Sequence, residues 1–316
     1  MASSHFKIYG TSKGDSGLLS FIEIDEAKYK LITKARENLF EALFLEEKLD
    51  LVTESFCEYE TELLSIASRA MIFLDFDYFS ISGTRNLVSR RIVNLLSAGR
   101  MYLDQSIHHI KNMYEADSDN LNLIKKEIAF QYNKSLGFRV MEALRNYVQH
   151  RGFPIQSVTI SRERVASDDD FQLLFRVIPL ISISALEEDD KFTKRVLKEL
   201  KDIQNNDLID AKPLIREYIE GIGKIHEKAR DLIRLDLINW EKILDDTIAK
   251  IQNESGKETS QVGLVIVTEK DNVHWEDRKT IFKEFIERRQ ALELKNSIFV
   301  NLQKRYASNE IRKKDA

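Results

Sequence analysis

The sequence predicts a mainly helical protein, α+β overall: an antiparallel helical bundle followed by a C-terminal region with a small sheet and a long helix. Three observations carry this expectation. Apolar residues recur at helical spacing through the first half, as in Leu39, Phe40, Leu43 and Phe44, or Leu87, Val88, Ile92, Leu95 and Leu96. The 316 residues include only 3 prolines and 11 glycines, too few for a turn-dense β fold. After Pro154 the pattern changes to alternation, in Val158 to Ile160 and again in Phe171 to Val177, with the acidic turn Ala166 to Asp170 between them.

Taken in order, residues 1–24 are expected to form an irregular or weakly extended segment. Gly10 to Gly17 is Gly/Ser-rich but lacks the Gly-Lys-Ser/Thr ending of a phosphate-binding loop. Residues 25–74 read as two helices with a break near 46–50, and 73–82 as an aromatic connector. A long helix is expected over about 84–115. Asp117 to Asn120 is a turn and N-cap cluster that opens a further helix running to about Arg151, where Gly152 and Pro154 stop it. Residues 25–154 therefore make up the bundle, and 155–316 an α+β region for regulation or partner binding. In that region the alternating segments form a hairpin, and helical spacing returns over 191–203 and 214–251. Gly221 and Gly223 weaken the first third of the long helix. Val262 to Thr268 is a continuous apolar run, expected to be a buried strand that joins the hairpin. From Trp275 onward the chain reads as helix, with a polar tail after Tyr306.

Charge and composition exclude several classes. A net charge of −4 argues against wholesale attraction to nucleic acid. The distribution is uneven, however. Tyr78 to Leu103 contains no acid but holds Arg85, Arg90, Arg91 and Arg100, and between Ile128 and Arg162 Glu142 is the lone acid. No apolar run approaches a membrane span, and the N-terminus carries no signal-peptide pattern. A single cysteine, Cys57, excludes an internal disulfide and suits a reducing cytoplasm; its helical surroundings mark it as a bland, buried or half-buried residue. His108 and His109 diverge by about 100° on a helix and cannot chelate a metal alone. His226, among Lys224, Glu227 and Lys228, reads as a surface or boundary residue, and His274 as an incidental loop residue. No cofactor-binding or metal-binding motif is present.

One stretch points to chemistry. In Arg139 to Pro154, Val140, Met141, Leu144, Tyr147 and Val148 keep the apolar stripe. Arg139, Glu142, Arg145, Asn146, Gln149 and His150 fall on the other side. A cation, an amide and an imidazole thus share one exposed face near a helix end. Cleaving RNA without a metal requires deprotonating a 2′-hydroxyl, protonating the leaving 5′-oxygen and stabilising charge on the phosphate. A histidine can carry either proton near neutral pH. Arg145 offers a fork of donors to phosphate oxygens, and Asn146, one turn before His150, can orient the imidazole. Arg139, Gln149 and Arg151 are expected to bind substrate, with Glu142 in support. The competing reading pairs Arg145 with Glu142 and leaves His150 as a helix-end cap.

The run Arg145-Asn146-Tyr147-Val148-Gln149-His150, placed near the end of a helix in a bundle, resembles the signature of the HEPN family: Arg, a polar residue, three further residues and His. The resemblance covers at most residues 25–154 and rests on this motif and the architecture. It implies a metal-independent endoribonuclease with Arg145, Asn146 and His150 as catalytic residues, and a homodimer that supplies two histidines. It also implies a setting: a toxin or effector of a bacterial anti-phage, abortive-infection or toxin–antitoxin system, with RNA as substrate and an antitoxin or defence-system protein as partner. Some members of the family have lost catalysis, so a helical interaction or regulatory module is the alternative.

Overall fold

The computed structural model describes residues 5–12, 18–73, 78–114, 118–165, 172–203, 206–255, 262–270, 274–297, 299 and 301–307. Strands β1 (His5–Ser12) and β2 (Leu18–Ile24) precede α1 (Glu26–Phe73), α2 (Tyr78–Met113), α3 (Asp119–Lys134) and α4 (Leu136–His150). Then come β3 (Ser157–Val165), β4 (Gln172–Ser182), α5 (Ile183–Glu187), α6 (Lys194–Ile203) and β5 (Leu208–Asp210). Next come α7 (Ala211–Ser255), β6 (Val262–Lys270), β7 (His274–Phe282) and α8 (Lys283–Lys295), followed by a 3-10 turn at Leu302–Lys304. The mainly helical α+β class is as expected. Among the described residues, no helix is long and apolar enough to cross a membrane.

The chain forms two compact units. One comprises Met1–Lys48, Gln105–Leu123 and Lys228–Ser297; the other comprises Leu49–Asp104, Ile124–Glu227 and Ile298–Ala316. The division falls within α1, α2, α3 and α7.

The first unit holds an antiparallel sheet in the order β2-β1-β6-β7. Residues 5–12 and 18–24, expected to be irregular or weakly extended, are full strands because β1 pairs along its whole length with β6, as in Ile8 with Ile266. Val262 to Thr268 is the expected buried strand, with Leu264 to Val267 all buried, but it joins these N-terminal strands and not the β3–β4 hairpin. An apolar run reveals burial on both faces without naming its neighbours. Residues 275–282, read as helix, and His274, read as a loop residue, form the edge strand β7, and the helix begins only at Lys283. Few apolar residues mark an edge strand of this kind. α1 is one helix of 48 residues, unbroken at 46–50. Glu46, which helped suggest the break, is buried and accepts two hydrogen bonds from Arg230, at 2.8 and 2.6 Å. In the same unit His109 is buried against Glu41, with Nδ1 2.6 Å from Oε2.

In the second unit the hairpin is present: β3 pairs antiparallel with β4, and β4 with the short β5. The acidic turn at 166–170 lies outside the described residues, as do residues 74–77 and the tail beyond 307; the rest of the expected 73–82 connector is helical, Phe73 ending α1 and Tyr78 to Ser82 opening α2. The helix expected to run from Asn120 to Arg151 is two helices. Ser135 ends α3 and caps α4, its hydroxyl oxygen accepting from the Phe138 N–H at 3.1 Å and its O–H donating to Glu217 at 2.8 Å. Glu217 also accepts from the Gly137 N–H at 2.8 Å, placing a carboxylate at the N-terminus of α4. Gly137 is required there, because a Cβ would lie 2.4 Å from the Leu214 carbonyl oxygen. Gly221 likewise admits Phe138 against α7, so the helix continues through it. His226 is buried at 1% exposure with Nδ1 3.1 Å from the Tyr102 hydroxyl. Ile222, Ile225 and Ala229 set its face, and its charged sequence neighbours do not. Cys57 is exposed, not buried.

Candidate active site

α4 is held by its apolar residues. Phe138, Val140, Met141 and Leu144 are buried. Phe138 meets the Tyr218 ring edge-on at 5.0 Å, and Tyr147 meets Phe192 at 6.1 Å. The opposite side presents Arg145, half-buried, and Asn146, Gln149 and His150, all exposed. The helix thus leaves Asn146 and His150 exposed one turn apart, with Arg145 half-buried beside Asn146.

The supporting residues are arranged differently from expectation. Arg139 does not face solvent. Its Nε donates to Glu199 at 2.9 Å, and its Nη1 donates to the carbonyls of Tyr132 and Asn133 at 2.9 and 2.6 Å. It ties the end of α3 to α6, so it is a structural residue and not a substrate contact. On a helical wheel it sits with the polar residues, but here that side is covered by α6. Arg151 is exposed yet engaged, with Nη2 donating to the Glu188 carbonyl at 2.9 Å and Nε 3.4 Å from Asp189.

Glu142 does not pair with Arg145. One oxygen accepts from Arg100 Nη1 at 2.9 Å, the other from the Tyr218 hydroxyl at 3.0 Å. Burial, then the Glu142 charge and hydrogen bond, pushes the Tyr218 phenol well above its ordinary value, so it stays a donor. Arg100 also grips Asp104, Nε to Oδ2 at 3.0 Å and Nη2 to Oδ1 at 2.7 Å. Arg145 makes no ion pair with a carboxylate among the described residues; its Nη1 donates to Asn146 Oδ1 at 3.1 Å.

Arg145 and Asn146 line an open depression of about 380 Å³ together with Arg100, Asp104, Glu142, Tyr132 and Thr193. His150 lies outside that lining, one turn further along α4. Beyond the helix end, the Arg85 guanidinium stands 5.3 Å over the exposed Phe153 ring. The acid-free run that holds Arg85 and Arg100 was expected to neighbour the motif in the bundle and gather a basic surface around it; Arg100 does reach α4, but at Glu142. Sequence reasoning had no signal for Asp104, Tyr132, Thr193 or Tyr218. An i, i+4 pair such as Arg100 and Asp104 is readable, but its position beside α4 is not. Among the described residues no three His, Cys, Asp or Glu side chains converge in a metal-binding group.

The chain matches no protein-family model, no curated protein and no solved structure.

Proposed function

We propose that this protein is a metal-independent endoribonuclease of the HEPN type, acting at the Arg145, Asn146 and His150 face of α4. The observation that carries this reading is the arrangement around Glu142. With both oxygens of Glu142 engaged by Arg100 and Tyr218, Arg145 is not drawn into a local ion pair. It is held by Asn146 on the same face as an exposed imidazole. That speaks against the pairing that would make the motif merely structural.

In the proposed reaction His150 of one copy removes the 2′-hydroxyl proton. The 2′-oxygen forms a bond to phosphorus while the bond from phosphorus to the 5′-oxygen breaks. Arg145 donates to the phosphate oxygens, where negative charge builds up. The leaving 5′-oxygen takes its proton from the imidazolium of a second copy's His150, since each chain supplies one such histidine. The exposure of His150 allows two copies to meet there. The HEPN resemblance adds the setting: a cytoplasmic toxic effector of an anti-phage or toxin–antitoxin system, restrained by a partner protein. Expression tests the reading directly. The intact chain should arrest growth and fragment cellular RNA, and His150→Ala should do neither. Equal growth with both chains and intact RNA would support a non-catalytic interaction module instead.

A further inference from the structure

Helices α2 and α4 run antiparallel, side by side. Arg100 of α2 reaches Glu142 of α4 at 2.9 Å, and Arg85, near the start of α2, stands 5.3 Å over Phe153, just past the end of α4. Arg145, Asn146 and His150 fall between these two contacts in sequence. The Arg100 end is closed, because both oxygens of Glu142 are engaged and Arg100 also holds both oxygens of Asp104. The Arg85 end is open. Phe153 is 52% exposed with Arg85 over one of its two faces, which leaves ring surface in contact with solvent. Among the described residues Arg85 meets no carboxylate, and its one hydrogen-bond acceptor is Asn86 Oδ1, 3.4 Å from Nη2. Its Nε is buried without an acceptor. An exposed phenylalanine by itself is ordinary. One stacked against a cation that lacks an anion presents an aromatic face and a positive charge together.

We propose that Phe153 and Arg85 form a nucleotide subsite for the RNA strand cut at His150, with a base stacked on the Phe153 ring and a phosphate held by Arg85; the proposal rests on the ribonuclease reading. A base is a flat π system joined through its sugar to an anion, so a nucleotide uses both features at once. An apolar side chain of a protein partner would use the ring and leave the cation unmatched. Stacking accepts any base, because every base has a π face. The position suits the chemistry. Phe153 lies three residues beyond His150, so their Cα atoms are at most about 11 Å apart. The Phe153 carbonyl accepts from Gln156 Nε2 at 3.1 Å, and Pro154 and Ile155 behind it are buried, so the ring is carried on an anchored turn. Arg145 stays with the scissile phosphate, and Arg85 takes a neighbouring one.

The test measures binding of short single-stranded RNAs to the full chain by fluorescence anisotropy, with each variant built on His150→Ala so that no strand is cut. Phe153→Ala should weaken binding about 5- to 150-fold. Phe153→Tyr should retain it and Phe153→Leu should not, because leucine restores apolar bulk without a π face. An abasic nucleotide moved along the strand should weaken binding at one position, and there Phe153→Ala should add no further loss. Arg85→Gln should lower affinity and reduce the salt slope of binding by about one. Thermal melts check that each variant keeps its fold. Undiminished binding by Phe153→Ala, or equal binding by Phe153→Leu and Phe153→Tyr, would overturn the subsite. Light scattering on Phe153→Ala covers the other partner: a fall from dimer to monomer would place the ring between two copies and overturn the subsite as well. Base-dependent binding through Phe153 upholds the subsite even if the wild-type chain cuts nothing, an outcome that removes only the ribonuclease reading. Cutting that is indifferent to Phe153 removes only the subsite, and a chain that does not bind RNA removes both.

Discussion

Replacing Arg139 by alanine should destabilise the protein, in contrast to the same change at Arg145. Three hydrogen bonds are lost, one to the Glu199 carboxylate and two to the carbonyls of Tyr132 and Asn133. Removing one partner of a buried ion pair costs about 3–5 kcal/mol when the other charge is stranded. Here Glu199 is 25% exposed and keeps its bond from Arg195 at 3.0 Å, so water and Arg195 offset part of that cost. A loss of roughly 2–4 kcal/mol is expected. Arg139→Lys keeps a charge but loses the fork that reaches three acceptors, and should fall about halfway. Arg145→Ala removes only a half-exposed residue bonded to Asn146 and should cost under about 0.5 kcal/mol. Urea melts followed by circular dichroism measure all three. The glutamate adds a pH signature. Burial pulls the Glu199 carboxyl upward, but the Arg139 and Arg195 hydrogen bonds outweigh it and hold it below the ordinary 4.5. Its contribution is present above that value and fades as pH falls through the lower folded value. Arg139→Ala should weaken this acid dependence. An Arg139→Ala chain as stable as wild type but unable to bind RNA would refute the structural assignment and return Arg139 to the substrate face.

Arg145→Ala and His150→Ala should each reduce RNA cleavage by about 100-fold or more with unchanged melts, and Asn146→Ala should be milder because it positions without transferring a proton; gel assays on purified chains decide this, and near-normal cutting by His150→Ala would remove the site. Light scattering should give a dimer, since one histidine per chain leaves the acid–base pair incomplete; a strictly monomeric active enzyme would call for a second proton-transfer group within the chain. In the first unit, burial outweighs the Glu41 carboxylate and holds His109 below its ordinary 6.5. The unfolded chain therefore takes up a proton below that value that the folded chain resists, and stability should fall as pH drops from 7. Thermal melts across this range should show a shallower decline for His109→Gln, and an identical slope would contradict the direction given.

Local periodicity carried far in this chain, and long-range pairing did not. The stripe of Leu87, Val88, Ile92, Leu95 and Leu96 marks α2, and that from Leu214 to Ile251 marks α7, because each helix buries one face along its whole length. The alternation around Val158 and Phe175 likewise marks β3 and β4. Spacing cannot say that β6 meets β1 more than 250 positions earlier, as in Ile8 with Ile266. Nor can it say that Glu46 is buried by Arg230 on a distant helix. The same limit governs the site. Asn146 and His150 lie one turn apart with Arg145 beside Asn146 because a helix puts them there, and that is readable from one turn of sequence. Arg139 has the same local appearance yet is covered by α6, 60 positions away in sequence at Glu199. Arg100, Asp104 and Tyr218 come to α4 from other helices, so the depression they form has no local signature.

Cleavage of an RNA carrying a single 2′-deoxy sugar at the cut position tests the proposed chemistry most directly. If the 2′-hydroxyl is the nucleophile, that strand should bind as tightly as the all-ribose strand and resist cutting at the substituted position. The all-ribose strand should give 2′,3′-cyclic phosphate and 5′-hydroxyl ends, in the presence of excess chelator as in its absence. Equal cutting of the deoxy-substituted strand, or products ending in a 5′-phosphate, would contradict proton abstraction from the 2′-hydroxyl by His150.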